Sequence, residues 1–453
     1  MAFSGKDLKL WSRGLWNSEP AAALEGFTND TRQLNKGDVF VALKTNRRDG
    51  HDFLDAAQEA GASAALVSEF RQGVDLPQLK VENALLGLQR IAASYRAKFS
   101  GPVVGVTGSC GKTTCKDLIA TLLGGDETTL STAGNLNNFL GVPLTLMRGN
   151  WEKDHYAVVE AGISEKNEMG VLAEMIQPNI AVITSVGPAH LEGLGTVENV
   201  AAEKLKLGLG ERTHSIFIDS TASQFVREIE GKELYSICVD DRLGKIGSYK
   251  IGEETLYLRL PGGVEEFPLI NSSNSLASNV ALSLSVAASL EISTDKLRER
   301  LSNWRPSGMR GEWIEVDNKC VYLDCYNANP LSMIDSLESF VKNSDDSAAR
   351  LFVIGGMEEL GEGASSWHEQ LGENLSLRDQ DRLCIVGRFA DDVLRGFIGS
   401  GGSAAIAQVV QSMQELKQIV NQFTGSVFLK GSRRYQLENA LDDALKNSRK
   451  DIS

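Results

Sequence analysis

The run Thr107-Gly108-Ser109-Cys110-Gly111-Lys112-Thr113-Thr114 follows an apolar stretch, Val103-Val104-Gly105-Val106, and leads into a helical pattern from Lys112 to about residue 123. A strand feeding a glycine-rich turn and a helix start that carries Lys-Thr-Thr is the layout of a phosphate cradle. Glycines admit backbone N–H groups to phosphate oxygens, and the helix N-terminus adds partial positive charge. In such a loop Lys112 bridges β- and γ-phosphates and the Thr113 hydroxyl ligates Mg²⁺. Val106 stands where the usual G-x-x-x-x-G-K-[ST] pattern has its first glycine. A chance Gly-Lys-Thr at a strand–helix turn is the competing reading, and the flanking strand and helix favour a nucleoside triphosphate.

Three further residues can serve the same chemistry. Tyr156-Ala157-Val158-Val159-Glu160 reads as a strand ending in a carboxylate, and ligands of doubly wound sheets lie outside the carboxyl ends of their strands. Glu160 is therefore a candidate Mg²⁺ ligand, with a solvated strand-end glutamate as the alternative. Ile180-Ala181-Val182-Ile183 delivers a polar loop to His190, one of five histidines, and the helix beyond it carries Glu203 and Lys204. A loop histidine and a surface lysine are the plain alternatives. The functional ones are a ligand at His190 and, at Lys204, a counter-charge for phosphate or a carbamylated, carboxylate-like group.

Positioning these residues requires more than one core. At 453 residues the chain calls for about three domains. Residues 1–98 read as a small α/β unit, with strands near 39–43 and 64–67 and helices at 51–59 and 85–97. Residues 99–305 alternate strand and helix, which implies a parallel sheet covered on both faces, followed by a β-ribbon at 248–270 and an Ala-rich helix at 275–290. After a break at 303–308, residues 306–453 alternate again: strands at 321–324, 351–355, 383–386 and 427–430, a helix from Met333 and another through His368. The expected fold is α/β throughout.

Composition narrows the partners. The hydrophobic share of 42% and charged share of 23% are those of a globular protein. A net charge of −14 disfavours nucleic acid and anionic membranes, so any bound phosphate must be held by local devices. No apolar run approaches the roughly 18 residues of a membrane span. The start of the chain has no secretion signal, and six scattered cysteines without a CxxC pair suit reduced thiols. A cytoplasmic protein without membrane insertion is expected.

Taken together, these residues resemble the Mur ligase family. Thr107 to Thr114 is similar to its T-G-[ST]-x-G-K-T-[ST] loop, Val159-Glu160-Ala161-Gly162 to its Mg²⁺-binding glutamate segment, and Ala189-His190-Leu191-Glu192-Gly193 to its second metal motif. Lys204 falls at the family's carbamylated lysine. Asn29-Asp30-Thr31-Arg32, Gly37 to Leu43 and Asp49-Gly50-His51-Asp52-Phe53 resemble a UDP-sugar-binding N-terminal domain. Thr132-Ala133-Gly134-Asn135-Leu136-Asn137-Asn138 and Asp324-Cys325-Tyr326-Asn327-Ala328-Asn329-Pro330 resemble the branch that adds D-Ala-D-Ala. Gly355-Gly356-Met357-Glu358-Glu359-Leu360-Gly361, His368 and Leu429-Lys430-Gly431-Ser432-Arg433 complete the pattern. The D-N-P-R of the branch adding diaminopimelate or lysine is missing. Four positions depart from the family: Gly356 and Leu323 replace aspartates, Cys325 a serine and Ser275 a histidine.

The resemblance implies a three-domain architecture with a UDP-binding domain, a central P-loop ATPase-like sheet and a Rossmann-like C-terminal domain. It implies a monomer that joins D-Ala-D-Ala to UDP-MurNAc-tripeptide through an acyl phosphate, using ATP and two Mg²⁺. Gly108, Ser109, Cys110, Gly111, Lys112, Thr113, Thr114, Asn279 and Arg310 would bind the nucleotide. Thr113 and Glu160 would hold one metal, His190 and carbamylated Lys204 the other, with Lys112, His190 and Lys204 catalytic. Thr31, Arg32, Asn135, Asn138, Asp324, Asn327, Asn329, Lys430, Ser432 and Arg433 would meet the substrates. An interdomain salt bridge is the alternative for Arg310, and another amine acceptor or an inactive nucleotide-binding homologue is the alternative for the whole chain. Without ligands, the hinges at 98–102 and 303–311 are expected to hold the C-terminal domain open.

Overall fold

The computed structural model describes residues 2–270, 273–306, 308–316 and 319–441. Ser307, part of the run before Arg310, and the end of the third expected domain, 442–453, lie outside the described residues. Three sheets follow one another along the chain.

The first runs in the order Leu15–Trp16, Gln78–Lys80, Ala64–Val67, Val39–Val41, Phe27–Thr28, parallel except for its first edge strand. The expected helix at 51–59 is split: Asp49 accepts the N–H of His51 and tightens Gly50–Phe53 into a 3-10 turn, and the α-helix occupies only Leu54–Glu59.

Nine strands form the central sheet. Val103–Thr107 lies between Ile180–Ile183 and Tyr156–Glu160, all three parallel and buried except at Tyr156. Such continuous apolar runs belong to strands covered on both faces. Helices Lys112–Leu122 and Asn274–Ser289 cover one face, and Glu168–Ile176 and Val197–Leu205 the other. Because the strands are parallel, the phosphate loop, Glu160 and the segment leading to His190 all emerge at one edge. The ribbon at the far side is the antiparallel set Ser248–Ile251, Thr255–Leu260 and Gly263–Pro268.

The third sheet runs Glu312–Val316, Lys319–Asp324, Gly425–Lys430, Arg350–Gly355, Arg382–Val386, Ala407–Val410, parallel except for the first pair. The helix expected from Met333 starts at Pro330, because Asn329 caps it: its side chain accepts the Ser332 N–H, and Pro330 suits the first turn.

The cores differ in reach. One apolar cluster runs from Leu88, Ile91 and Tyr95 of helix Ala84–Ala97 into Val159, Leu172 and Met175 of the central unit. Arg96, fully buried at that seam, donates to the carbonyls of Ile176, Phe99 and Gln177 and to Asn179 Oδ1. The C-terminal unit instead keeps two clusters of its own. It nonetheless rests on the central unit in a closed arrangement. Asn329 Nδ2 donates to the Ser109 carbonyl at 3.2 Å, and the Ser275 N–H donates to Asp335 Oδ1 at 2.9 Å.

Candidate active site

Two glycines make the turn after Val103–Thr107 possible. A Cβ on Gly108 would lie 2.0 Å from Thr184 Oγ1, and Gly111 takes φ +80° with Asn279 Oδ1 2.6 Å from where its Cβ would be. Neither place admits a side chain. Helix Lys112–Leu122 begins at Gly111 without a side-chain cap, which leaves its first N–H groups for a ligand. Lys112 curls back over the loop and donates to the Gly108 carbonyl at 2.8 Å. Burial holds its ammonium below the usual lysine range, against the opposing pull of Glu160. Ser185 Oγ accepts the Cys110 N–H at 2.9 Å, and burial pushes the Cys110 thiol up.

Glu160 is 1% exposed and forms no ion pair among the described residues. Its charge rests on two neutral donors: Thr113 Oγ1 at 2.8 Å and Asn137 Nδ2 at 2.7 Å. A buried carboxylate supported only by a hydroxyl and an amide is costly without a cation. Asn137 is the site residue that the sequence reading passed over, although it sits between Asn135 and Asn138 in a run already singled out.

Lys204 presents the opposite case. Its side chain is fully buried and Nζ has no hydrogen-bond partner among the described residues. Burial first, and then nearby Lys112, hold its pKa well below the usual lysine value.

His190 takes a left-handed backbone, φ 54°, at the start of helix Leu191–Leu194. Its Nδ1 lies 2.5 Å from Oε2 of Glu359, a residue of the C-terminal unit that is also left-handed, φ 64°. The hydrogen bond from His190 holds the Glu359 carboxyl below the usual range. Glu359 was visible in the sequence only as a letter of a motif.

A cavity of about 570 Å³ joins these parts. Its lining takes in Ser109 to Thr114, Asn135, Asn137, Asn138, Glu160, His190, Asn279 and Arg310, and on the C-terminal side Asp324, Asn327, Asn329 and Lys430. Lys430 and Asp324 are neighbours in the register of two parallel strands, and their ion pair is 2.5 Å long; Ser336 also donates to Asp324. The Arg310 guanidinium lies over the Tyr326 ring, 3.8 Å from its centre. Asn138 Oδ1 accepts the N–H groups of Leu140 and Gly141 and so shapes the entry to helix Gly141–Leu146. Ser432 and Arg433 line a neighbouring cleft that shares His190 and Asn327, where Arg433 pairs with Glu438. Gly108 and Lys204 are not part of the lining of either space. Thr31 and Arg32 line neither space, and Arg32 is exposed and paired with Asp30.

The four departures have local accounts. Tyr435 fills the place at Gly356: a Cβ there would be 2.6 Å from its hydroxyl, which donates to Glu358. Leu323 is fully buried in the C-terminal core. The Cys325 thiol, buried and pushed up to about 12, faces Glu438. Ser275 offers its backbone N–H to Asp335, a carboxyl that burial pushes up to about 6.

Asp49, His51 and Glu69 lie near enough to suggest a metal. Both ring nitrogens of His51 are already engaged, Nδ1 with Asp49 and Nε2 with the N–H groups of Ser68 and Glu69. The cluster is a loop brace.

Comparison with known proteins agrees with this construction. The model described as "Mur ligase family, catalytic domain" matches residues 24–96, "Mur ligase middle domain" matches 106–251, and "Mur ligase, glutamate ligase domain" matches 309–433. The UDP-N-acetylmuramoyl-tripeptide–D-alanyl-D-alanine ligase of Escherichia coli (strain K12) is 33% identical over 433 residues, 92% of this chain and 93% of that protein. A crystal structure of MurF from Acinetobacter baumannii superposes with a TM-score of 0.86 at 25% identity, covering 98% of this chain and 99% of that one. The MurF ligase of Thermotoga maritima in complex with ADP gives 0.77 at 25% identity, covering 95% and 99%. No described helix is long and apolar enough to cross a membrane. With three family models matched in order and a relative 33% identical along nearly the whole length, the chain belongs to the Mur ligase family.

Proposed function

We propose that this protein is an ATP-dependent ligase that joins D-Ala-D-Ala to UDP-N-acetylmuramoyl-tripeptide, giving the pentapeptide precursor of peptidoglycan with ADP and phosphate. The observation that carries the reading is the single cavity in which the phosphate loop, a buried carboxylate and the polar C-terminal wall converge. The E. coli ligase of that name, 33% identical, supports the choice of acceptor. The cytosol, which supplies ATP and nucleotide-linked precursors, is the compartment this reading implies.

Residues 1–98 hold the UDP end of the acceptor, with Thr31 and Arg32 as contacts, and Asn135 and Asn138 meet its peptide. Residues 99–305 hold ATP: the N–H groups and glycines from Gly108 to Thr114 cradle the phosphates, and Asn279 and Arg310 stand beside the nucleoside. The ADP complex of the T. maritima relative supports nucleotide binding. Residues 306–453 bring the dipeptide through Asp324, Asn327, Asn329, Lys430, Ser432 and Arg433.

The residues present fit two Mg²⁺ ions. Glu160, buried and without an ion pair among the described residues, with the Thr113 hydroxyl against it, would suit one. His190 and Lys204 would suit the other, because a buried amine held well below the usual lysine range would take up CO₂, losing a proton, to give a carbamate. Bound Mg²⁺ offsets the negative charge that gathers where a carboxylate meets a triphosphate.

Lys112 and the loop N–H groups neutralise the γ-phosphate, so that the tripeptide's terminal carboxylate can approach it and be activated as an acyl phosphate. The C-terminal wall then presents the dipeptide amine to the activated carbonyl. The Asn329 bond to Ser109 draws that wall over the loop and keeps water from the acyl phosphate.

The test is phosphate release from ATP with UDP-MurNAc-tripeptide, with and without D-Ala-D-Ala, followed by mass spectrometry. Dipeptide-dependent release with pentapeptide product is expected. Release with a single amino acid in its place reassigns the acceptor, and ATP binding without any release overturns the reading.

A further inference from the structure

One contact between the central and C-terminal units has no role in the scheme above. Glu359 follows strand Arg350–Gly355, and its carboxylate meets His190 Nδ1 at 2.5 Å. The approach is built into the backbone. The Glu192 N–H donates to the Glu359 carbonyl at 3.2 Å, and Gly361, φ +64°, stands so close to Glu192 that a Cβ would lie 3.3 Å from its Cα. Both His190 and Glu359 adopt left-handed backbones that non-glycine residues enter only when their surroundings hold them there. The neighbouring charges do not compete for Glu359. Arg388 and Arg434 are taken by Glu358, and Arg433 by Glu438. In the central unit the polar neighbour of His190 Nδ1 is the Ser164 hydroxyl, at 3.5 Å.

We propose that Glu359 is a positioning residue, delivered by the C-terminal domain on closure, that sets the His190 ring for the second Mg²⁺. A carboxylate only accepts, so Nδ1 carries the proton and the Nε2 lone pair is left for the cation. Carboxylates behind metal-bound histidines fix tautomer and ring orientation in this way. In the open form the carboxylate leaves, and His190 keeps only the hydroxyl of Ser164 beside Nδ1. The second cation site is then complete only when the domain that carries the amine acceptor is in place. Filling of the second cation site is thereby tied to the position of that domain.

The inference rests on His190 being a cation ligand, and the experiment separates the two claims. Mn²⁺ binding is measured by electron paramagnetic resonance on the full-length protein with ADP and the UDP-linked tripeptide. The variants are Glu359→Ala, Glu359→Gln, His190→Ala and the Glu359→Ala/His190→Ala double variant. Glu359→Ala should weaken the weaker of two Mn²⁺ sites by about tenfold or more, leaving the tighter site and metal-free ADP affinity unchanged. Glu359→Gln, which keeps the packing, should fall between. In the His190→Ala background the Glu359 change should cost nothing further, a coupling that a merely structural contact would not give. Native Mn²⁺ affinity in Glu359→Ala, with the site lost in His190→Ala, overturns the role of Glu359 while the ligand assignment stands. Two intact sites in His190→Ala overturn both.

Discussion

Asn137→Ala removes one of the two donors that support the buried Glu160 charge. In the structure Thr113 Oγ1 and Asn137 Nδ2 each donate to one carboxylate oxygen, at 2.8 and 2.7 Å. A hydroxyl that ligates a cation through a lone pair keeps its O–H free to donate, so Asn137 would remain one of two side-chain donors to Glu160. Its bond to a charged acceptor is worth about 1.5–3 kcal/mol. At about 1.4 kcal/mol per tenfold, the variant should need roughly ten- to 150-fold more free Mg²⁺ for half-maximal phosphate release. The rate at saturating Mg²⁺ should recover most of its native value, because no reacting group has been removed. The assay is initial phosphate release across a series of free Mg²⁺ concentrations, with circular dichroism as a check on folding. An unchanged Mg²⁺ requirement, with only the saturated rate reduced, would refute the reasoning and place Asn137 against the substrate instead.

Three further outcomes follow from buried groups. Lys204→Arg keeps a cation but cannot form a carbamate, so activity should fall by at least about a hundredfold, and bicarbonate should restore CO₂-depleted native protein but not the variant; native-like turnover would refute the carbamate. Asp335 is pushed up to about 6 by burial, from about 3.9 in an unfolded chain. A raised carboxyl contributes stability that is present below about pH 4 and lost as pH rises through 6, worth up to about 3 kcal/mol. Asp335→Asn should therefore flatten the pH dependence of urea unfolding between about pH 4 and 6, and an unaltered slope would show that the carboxyl is not buried in solution. Arg96→Met keeps the bulk at the seam but strands the carbonyls of Ile176, Phe99 and Gln177. At about 1 kcal/mol for each lost partner, unfolding should need about 3 kcal/mol less; a change below about 1 kcal/mol would mean water replaces the guanidinium.

The elements that carry chemistry were the most legible. Strand Tyr156–Glu160 and the start of helix Lys112–Leu122 lie where apolar runs and a Gly-Lys-Thr turn put them, because buried parallel strands are continuous in their apolar character. Short edge elements were not legible. Glu312–Val316 and Thr129–Ser131 carry little periodicity and are strands only because a neighbour pairs with them. Partners distant in the chain were also beyond reach. Asn137 and Glu359 were present in motifs, but nothing in local spacing says that one supports Glu160 and the other meets His190. Gly356 shows the same limit from the other side: it is a lost aspartate in sequence, and in space it is the room that Tyr435 occupies.

The distribution of apolar and polar contacts indicates which part of the molecule moves. The N-terminal and central units share one apolar cluster and the Arg96 seam, so separating them would expose core surface and strand a guanidinium. The C-terminal unit has its own cores and touches the central one through Asn329 on Ser109, Asp335 on Ser275 and Glu359 on His190. Polar contacts of this kind exchange with water at small net cost, each worth about 1 kcal/mol or little more. A triphosphate and cations bound at the proposed sites would bias such a balance through their contacts with Ser109 and His190. Ser109 belongs to the phosphate loop and His190 to the proposed second cation site, so filling them acts directly on the surfaces that decide closure. The hinge expected at 303–311 would then take up the motion, whereas Phe99 and Val103, at the one expected near 98–102, belong to the shared apolar cluster.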